Sequence, residues 1–203
     1  MIVVGLTGGI GSGKTTVAKE FKKQRIPIFD SDHEVRKIYK KKDKQTVLIL
    51  KKIQETIIIV NKKGVNKKEI GNIIFKNPKK RKMLEKVIFN KLKKLRTSFL
   101  NKNRRLRKKI VLLDVPLLFE NDINSICDYT IVTQAPKKLR IKRVLQRRGM
   151  TKDMVKKIMK TQLSEKQKTK LADFVLETNR GKWYTTKKIK EILKTIYLKK
   201  GLS

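Results

Sequence analysis

Apolar positions along the chain fall into blocks whose spacing predicts strands and helices in alternation. Residues 2–7 are apolar almost throughout, which is typical of a strand buried on both faces of a parallel sheet. After a glycine-rich stretch, Val17, Ala18 and Phe21 recur at helical spacing. The chain therefore opens with a strand, a glycine loop and a helix.

The later blocks continue this alternation. Short apolar runs predict strands at 25–30, 110–114, 129–132 and 174–176. Pro27 predicts that the first of these begins late or lies near a sheet edge. Helical periods and turn residues predict helices at 31–60, 66–75, 78–108, 136–148, 152–163 and near the C-terminus, with a turn at 61–64. Asn77 is expected to cap the third of these helices, with Pro78 at its first position. Strands alternating with helices predict a mostly parallel sheet in a three-layer α/β fold.

The glycine stretch carries the strongest chemical signal. Residues 8–15, Gly-Gly-Ile-Gly-Ser-Gly-Lys-Thr, fit the phosphate-binding pattern G-x-x-x-x-G-K-[ST] in its required strand–loop–helix context. Gly8, Gly11 and Gly13 allow backbone amides to converge on a phosphate at a helix N-terminus. Lys14 reaches the β- and γ-phosphates, and the Thr15 hydroxyl is placed to bind Mg²⁺. The motif predicts a P-loop NTPase fold that binds a nucleoside triphosphate.

Carboxylates are predicted at the same edge of the sheet, where ligands bind in open α/β folds. Asp30 and Asp32 follow the second strand, and Asp114 ends the third. A carboxylate here can accept the proton of an acceptor hydroxyl, or hold Mg²⁺ through water. The alternative is that Asp30 or Ser31 caps the following helix.

Two arginines in the helix predicted after Pro136 suggest a lid. Arg143 and Arg147 are four residues apart, so we expect them on one helix face. Guanidinium groups there can neutralise charge on a transferring phosphoryl group. The alternative is a solvated basic face without a ligand.

Composition limits the other functional classes. With 203 residues and 38% hydrophobic content, the chain suits one α/β domain with appendages. Its apolar runs are too short to span a bilayer. The early phosphate loop argues against a secretory signal, and the single cysteine excludes an internal disulfide. We expect a cytoplasmic enzyme that uses Mg²⁺ and has no membrane partner.

The formal net charge of +38 also invites a nucleic-acid interpretation. The excess is carried mostly by lysine runs, and no aromatic residues are interleaved to stack bases. We therefore expect no specific nucleic-acid partner, only non-specific polyanion binding at low salt. An RNA-associated P-loop ATPase is the alternative from a different class.

Among P-loop proteins, the pattern favours a small-molecule kinase. The D-x-x-G and N-K-x-D motifs of Ras-type GTPases do not occur in the sequence. Acids after the second strand, a helical insert and an arginine-bearing lid are what such a kinase needs to hold and close over its acceptor. Another nucleoside or nucleotide kinase is the alternative within this class.

Several stretches together carry a family resemblance. They are residues 6–18, Asp30-Ser31-Asp32 with Arg36, Ile74-Phe75 with Asn77-Pro78, residues 114–120, Gln146-Arg147, Gln162, and Ala172-Asp173 with Asn179. The most discriminating is 114–120, which fits a P-L-L-x-E signature. In these stretches the chain resembles the dephospho-coenzyme A kinase family.

The resemblance implies transfer of the ATP γ-phosphoryl group to the ribose 3′-hydroxyl of dephospho-CoA, the final step of coenzyme A synthesis. It implies Asp32 as base or hydroxyl-orienting group and Arg143 and Arg147 as lid cations. It implies that ATP is held by residues 11–16 (Gly11, Ser12, Gly13, Lys14, Thr15, Thr16) with Gly8 and Asn179, and the acceptor by Asp30, Asp32, Arg36, Pro116 and Leu117. Mg²⁺ would be bound by Thr15, with Asp32 or Asp114 through water.

The resemblance also implies a domain division. Residues 1–30, 109–135 and 173–203 would form the nucleotide-binding core, 31–108 a helical CoA domain and 136–172 a lid. We expect a monomer or weak homo-oligomer. The chain departs from the family at Phe89-Asn90, where His-Pro is usual, and at Glu165, where a lid arginine is usual.

Overall fold

The computed structural model of this protein describes residues 1–40, 60–61, 64–65 and 78–201. The chain divides into two compact units. The core unit combines Met1–Asp30 with Asn103–Ser203, and the inserted unit is Ser31–Lys102. The predicted helix at 66–75 and residues 41–59 of the predicted helix at 31–60 lie outside the described residues.

The core unit is built on a five-stranded, wholly parallel sheet in the order β2-β5-β1-β6-β7. Its strands are β1 Ile2–Gly8, β2 Ile28–Asp30, β5 Ile110–Asp114, β6 Tyr129–Gln134 and β7 Phe174–Glu177. Every residue of β1 and β5 is buried, as their apolar runs predict. The parallel sheet and three-layer α/β fold are confirmed.

Helices cover the sheet. In the core unit they are α1 Lys14–Lys23, α4 Lys137–Leu145, α5 Lys152–Lys160, α6 Glu165–Leu171 and α7 Gly181–Lys199, with a 3₁₀ turn at Ile123–Ile126. One face of the sheet packs against α1 and α7 in a single apolar cluster that includes Leu6, Phe21 and Ile192. Gly5 points to the opposite face, where Leu118 and Cys127 lie against it. Both faces are therefore covered.

The inserted unit contains α2 Ser31–Lys40, the short antiparallel pair β3 Val60–Asn61 and β4 Gly64–Val65, and most of α3 Pro78–Arg105. Pro78 is the first residue of α3, as predicted from its fixed φ. Ile38 of α2 and Leu84 and Leu100 of α3 are buried, so both helices bury part of their apolar side chains.

Three boundaries correct the predictions. Val60 pairs with Val65 in a hairpin and does not end a helix. The strand predicted at 25–30 begins only at Ile28, on the sheet edge, and Pro27 contributes a carbonyl to Leu112. The helix predicted through Lys108 ends at Arg105, and Arg107 has a left-handed φ of 50°.

Candidate active site

The glycine loop connects the carboxyl end of β1 to the N-terminus of α1. Gly11 and Gly13 have φ angles of 78° and 89°, a region that L side chains rarely adopt. A Cβ on Gly13 would also lie 2.7 Å from Thr178 Oγ1. Glycine is therefore required here for both conformation and space, and the loop brings backbone amides to the start of a helix, where anions bind.

Side-chain hydroxyl groups fix this loop to β6 and to the residue that follows β7. The Ser12 and Thr133 hydroxyl oxygens lie 2.6 Å apart, and both residues are buried. Thr178 Oγ1 donates to the Ser12 carbonyl at 2.7 Å. The Ser12 side chain thus anchors the loop to β6, and its N–H donates to the Gly9 carbonyl at 3.0 Å.

Lys14 and Asp114 form the ionic centre of the site. Lys14 Nζ donates to Asp114 Oδ1, and the two side chains are 14% and 6% exposed. Asp114 ends β5, in register with Leu6 of β1 and Asp30 of β2. The predicted convergence of Lys14, Asp30 and Asp114 at the carboxyl edge of the sheet is observed. A carboxylate in this position holds the lysine ammonium beside the glycine loop.

The other predicted ATP ligands border the loop. Thr15 and Thr16 are exposed in the first turn of α1. Asn179 is exposed between β7 and α7, next to Thr178, which contacts both Ser12 and Gly13. Lys14, Thr15 and Thr16 thus lie in the first turn of α1, and Asn179 follows a residue that contacts the loop.

The predicted acceptor residues are divided between the two units. Asp32 and Arg36 belong to the inserted unit, on α2, and both are exposed. Pro116 and Leu117 follow β5 in the core unit and are half-buried. The Pro116 carbonyl accepts from Thr7 Oγ1 at 2.9 Å and from Lys168 Nζ at 3.2 Å, so its position is fixed from two sides.

The two arginines predicted for a lid were expected on one helix face. In the structure they do not lie on the same helix. Arg143 lies on α4, whereas α4 ends at Leu145 and Arg147 sits in the turn that follows. This turn extends to Gly149, which has a left-handed φ of 79°. Arg143 donates to the Gly11 carbonyl at 3.3 Å and to Thr178 Oγ1 and O at 3.0 and 2.9 Å, while Arg147 is exposed.

Sequence reasoning missed a second arginine that contacts the loop. Arg140 of α4 is buried, and its Nε donates to the Ile10 carbonyl at 3.0 Å. Arg140 Nη1 also lies 2.8 Å from Glu165 Oε2. On the same loop residue, the Ile10 N–H donates to Gln162 Oε1 at 2.9 Å. Periodicity alone could not select Arg140 among the many cations of this helix.

A buried ion pair behind Pro116 was also missed. Lys168 is 1% exposed and lies 2.9 Å from Glu120 Oε1, which also accepts from the Leu163 N–H at 2.8 Å. Glu120 is the acid of the P-L-L-x-E stretch, and Lys168 lies on α6. The sequence Ser164-x-x-Gln167 signals this helix through its capping box, which the structure contains.

Within the described residues, no group of three or more His, Cys, Asp or Glu side chains forms a metal site. Over the same residues, no helix combines the length and apolar character needed to cross a membrane.

Three features of the core unit define a P-loop kinase. They are a parallel sheet with a glycine loop at the end of β1, a lysine paired with a carboxylate, and arginines that contact the loop. The sequence model of the dephospho-CoA kinase family matches residues 2–183. The chain belongs to this family, which confirms the resemblance, and it is an ATP-dependent kinase that phosphorylates an alcohol.

Individual relatives agree with this placement over nearly the full chain. A dephospho-CoA kinase of Agrobacterium fabrum is 34% identical over 97% of this chain and 98% of its own. The corresponding protein of Fusobacterium nucleatum is 31% identical over 97% and 99%. The crystal structure of TT1252 from Thermus thermophilus has a TM-score of 0.79 at 28% identity, covering 96% of this chain and 97% of its own.

Proposed function

We propose that the protein transfers the γ-phosphoryl group of ATP to the ribose 3′-hydroxyl of dephospho-CoA, giving CoA and ADP. The observation that carries the proposal is the Lys14–Asp114 pair beside the glycine loop, in a chain of the dephospho-CoA kinase family. The 3′-oxygen forms a bond to the γ-phosphorus as the bond from that phosphorus to ADP breaks.

ATP binds with its phosphates on the glycine loop. Residues 11–16 and the N-terminus of α1 hold the phosphates, and Lys14 contacts the β- and γ-phosphates. Asp114 keeps the Lys14 ammonium at the loop until nucleotide arrives. Gly8, the last residue of β1, begins the loop that holds the phosphates. Asn179, in the connection between β7 and α7, contacts the nucleotide.

The oxygen donors of the site are of the kind that binds Mg²⁺. Thr15 offers an exposed hydroxyl next to Lys14, and Asp114 offers a carboxylate at the end of β5. A small number of protein oxygens, with phosphate oxygens and water completing the shell, is the donor set that Mg²⁺ prefers. When bound, the ion neutralises charge on the phosphates. Asp32 is the other carboxylate proposed to hold it through water.

Two of the residues proposed to bind the acceptor, Asp32 and Arg36, lie on α2 of the inserted unit, and two more, Pro116 and Leu117, follow β5 in the core unit. Asp32 accepts the proton of the 3′-hydroxyl as the new bond forms, with Asp30, Arg36, Pro116 and Leu117 around the acceptor. Residues 31–108 are proposed as the CoA domain, and 1–30, 109–135 and 173–203 as the nucleotide-binding core; the compact inserted unit is Ser31–Lys102. This role for Asp32 rests on its position two residues after β2 and on its exposure in the first turn of α2.

Residues 136–172 form the lid. Arg143 already contacts the loop through Gly11, so it stabilises the phosphate end of ATP, and exposed Arg147 is the cation that approaches the transferring group. We further propose a cytoplasmic location and a monomer or weak homo-oligomer, without a specific nucleic-acid or membrane partner.

Turnover with dephospho-CoA and Mg-ATP tests the proposal. The wild type should form CoA, and Asp32→Asn should lower kcat by about 10²–10⁴-fold, because the amide cannot accept the proton. The affinity for ADP, measured by calorimetry, should stay unchanged. No CoA from the wild type would reject the function. An Asp32→Asn variant with full kcat and only a lower melting temperature would make Asp32 a helix cap.

A further inference from the structure

The side chain of Arg140 lies directly against the phosphate loop. A Cβ built on Gly9 would fall 2.2 Å from Arg140 Nη2, which shows how closely the guanidinium approaches the loop backbone. Arg140 Nε donates to the Ile10 carbonyl at 3.0 Å. Arg140 is 6% exposed, so this contact is largely shielded from water.

Glu165 holds this guanidinium in place. Its Oε2 lies 2.8 Å from Arg140 Nη1, and its Oε1 accepts from the Ala135 N–H at 3.4 Å. The carboxylate compensates the guanidinium charge, so Arg140 adds little net charge next to the phosphates. Its effect on the loop is therefore geometric.

The contact fixes the direction of one loop amide. In a planar trans peptide the C=O and the next N–H point in opposite directions. Arg140 on the Ile10 carbonyl therefore turns the Gly11 N–H to the other side of the loop. Gln162 accepts the Ile10 N–H at 2.9 Å, so this neighbouring donor is already used.

We propose that Arg140, held by Glu165, is a positioning residue that orients the Gly11 N–H toward the phosphates of bound ATP. The inference rests on the proposed function only for the identity of the nucleotide. Gln162 accepts the hydrogen bond of the Ile10 N–H, which is then not available to a phosphate. The loop therefore presents one defined set of N–H donors to ATP. Preorganised donors bind a phosphate without reorganisation at the moment of binding.

The test separates loop geometry from fold stability. Arg140→Met with Glu165→Met replaces the buried ion pair by two apolar side chains of similar length, a change that often leaves stability intact. The donor to Ile10 is lost, so the Kd for ADP by calorimetry and the KM for ATP should each rise about 10-fold or more. The KM for the acceptor and the melting temperature should stay near wild type.

Two further variants keep the proposal falsifiable. Arg140→Lys retains the charge beside Glu165 but has a single donor nitrogen, so its ADP affinity should fall between wild type and the double variant. The matched control, Lys188→Met with Glu191→Met, removes an exposed ion pair of α7 and should leave ADP affinity unchanged.

A double variant that melts like the wild type and binds ADP with unchanged Kd would overturn the proposal. So would an Arg140→Lys variant whose ADP affinity and ATP KM equal those of the wild type. ADP binding needs no acceptor, so these outcomes are independent of whether dephospho-CoA is phosphorylated. Absence of CoA formation with normal ADP binding would reject the proposed acceptor and leave the role of Arg140 standing.

Discussion

Lys14 shows how one residue obtains its role from backbone position. It is the first residue of α1, directly after a glycine with left-handed φ, so its side chain leaves the loop beside the phosphate-binding amides. Asp114 reaches it because β1 and β5 are paired in register up to Leu6. A buried lysine needs such a partner, since an unpaired charge in this setting is costly.

Glu20 plays a structural part at the same scale. It is buried on α1, contacts Lys23 Nζ at 2.7 Å and accepts from Thr186 Oγ1 of α7 at 3.1 Å. The hydrogen bond from Lys23 holds the pKa of the Glu20 carboxyl below its ordinary value of 4.5, against the opposing effect of burial. Glu20 thereby links the helix that follows the phosphate loop to the helix that follows Asn179.

The lowered pKa of Glu20 predicts a pH dependence of stability. The folded state binds this proton less tightly than the unfolded state, so the contribution is present above pH 4.5 and is lost as pH falls through the folded pKa. Glu20→Gln should lower the unfolding free energy by about 1 kcal/mol at neutral pH, and the gap to wild type should close in acid. Urea unfolding across pH measures this.

The matched change Glu191→Gln, at an exposed residue of α7, should leave the profile almost unaltered, because exposed ion pairs contribute little. A wild type and Glu20→Gln variant that differ equally at every pH would contradict the assignment.

Residues with a local signal could be predicted, and those defined by distant contacts could not. Lys14, Thr15 and the glycines follow from one motif, and Asp114 follows from its place at a strand end. The contacts of Arg140 with Ile10 and of Ser12 with Thr133 join residues far apart in sequence. Their partners depend on how α4 and β6 lie against the loop, which no periodicity contains.

At the element scale, α6 fixes the segment that follows β5. Lys168 of α6 pairs with Glu120 and also donates to the Pro116 carbonyl. Glu120 Oε1 in turn accepts from the Leu163 N–H just before this helix. The short helix is thus joined to both ends of the P-L-L-x-E stretch, where the proposed acceptor residues Pro116 and Leu117 lie.

Breaking this pair should destabilise the core unit. Lys168→Met leaves the Glu120 carboxylate largely buried without its cation, so the unfolding free energy should fall by about 3–5 kcal/mol. Adding Glu120→Gln removes the uncompensated charge and keeps an acceptor for Leu163, so the double variant should recover part of the loss. Denaturant unfolding measures both, and a double variant less stable than Lys168→Met would contradict the account.

Element types were more predictable than element ends. The strands at β1 and β5 follow directly from buried apolar runs. The end of α4 was misjudged because Gln146, Arg147 and Arg148 are ordinary helix formers, whereas in the structure the Arg147 N–H donates to the Val144 carbonyl three residues back and the α-helix does not continue. The hairpin at Val60 and Val65 was missed because two-residue strands carry no period to detect.

At the scale of the whole molecule, several of the few acidic residues of a strongly basic protein lie close to the phosphate loop or to the segment after β5. The chain has 17 acidic and 55 basic residues, which gives its formal net charge of +38. Asp114, Glu120 and Glu165 nevertheless lie against cations around the phosphate loop and the segment after β5. These three acids hold the neighbouring cations in place, and the net positive charge of the chain favours the approach of anions in general.

The most direct test of the account offers the enzyme a choice of acceptors. Purified protein is incubated with Mg-ATP and an equimolar mixture of dephospho-CoA, adenosine and shikimate, and the products are identified by mass. The account predicts CoA as the phosphorylated product, and its loss in Lys14→Ala, which removes the ammonium from the phosphates and is assayed at a temperature at which circular dichroism shows it to be folded. Phosphorylation of adenosine or shikimate in place of dephospho-CoA, or full activity of Lys14→Ala, would contradict it.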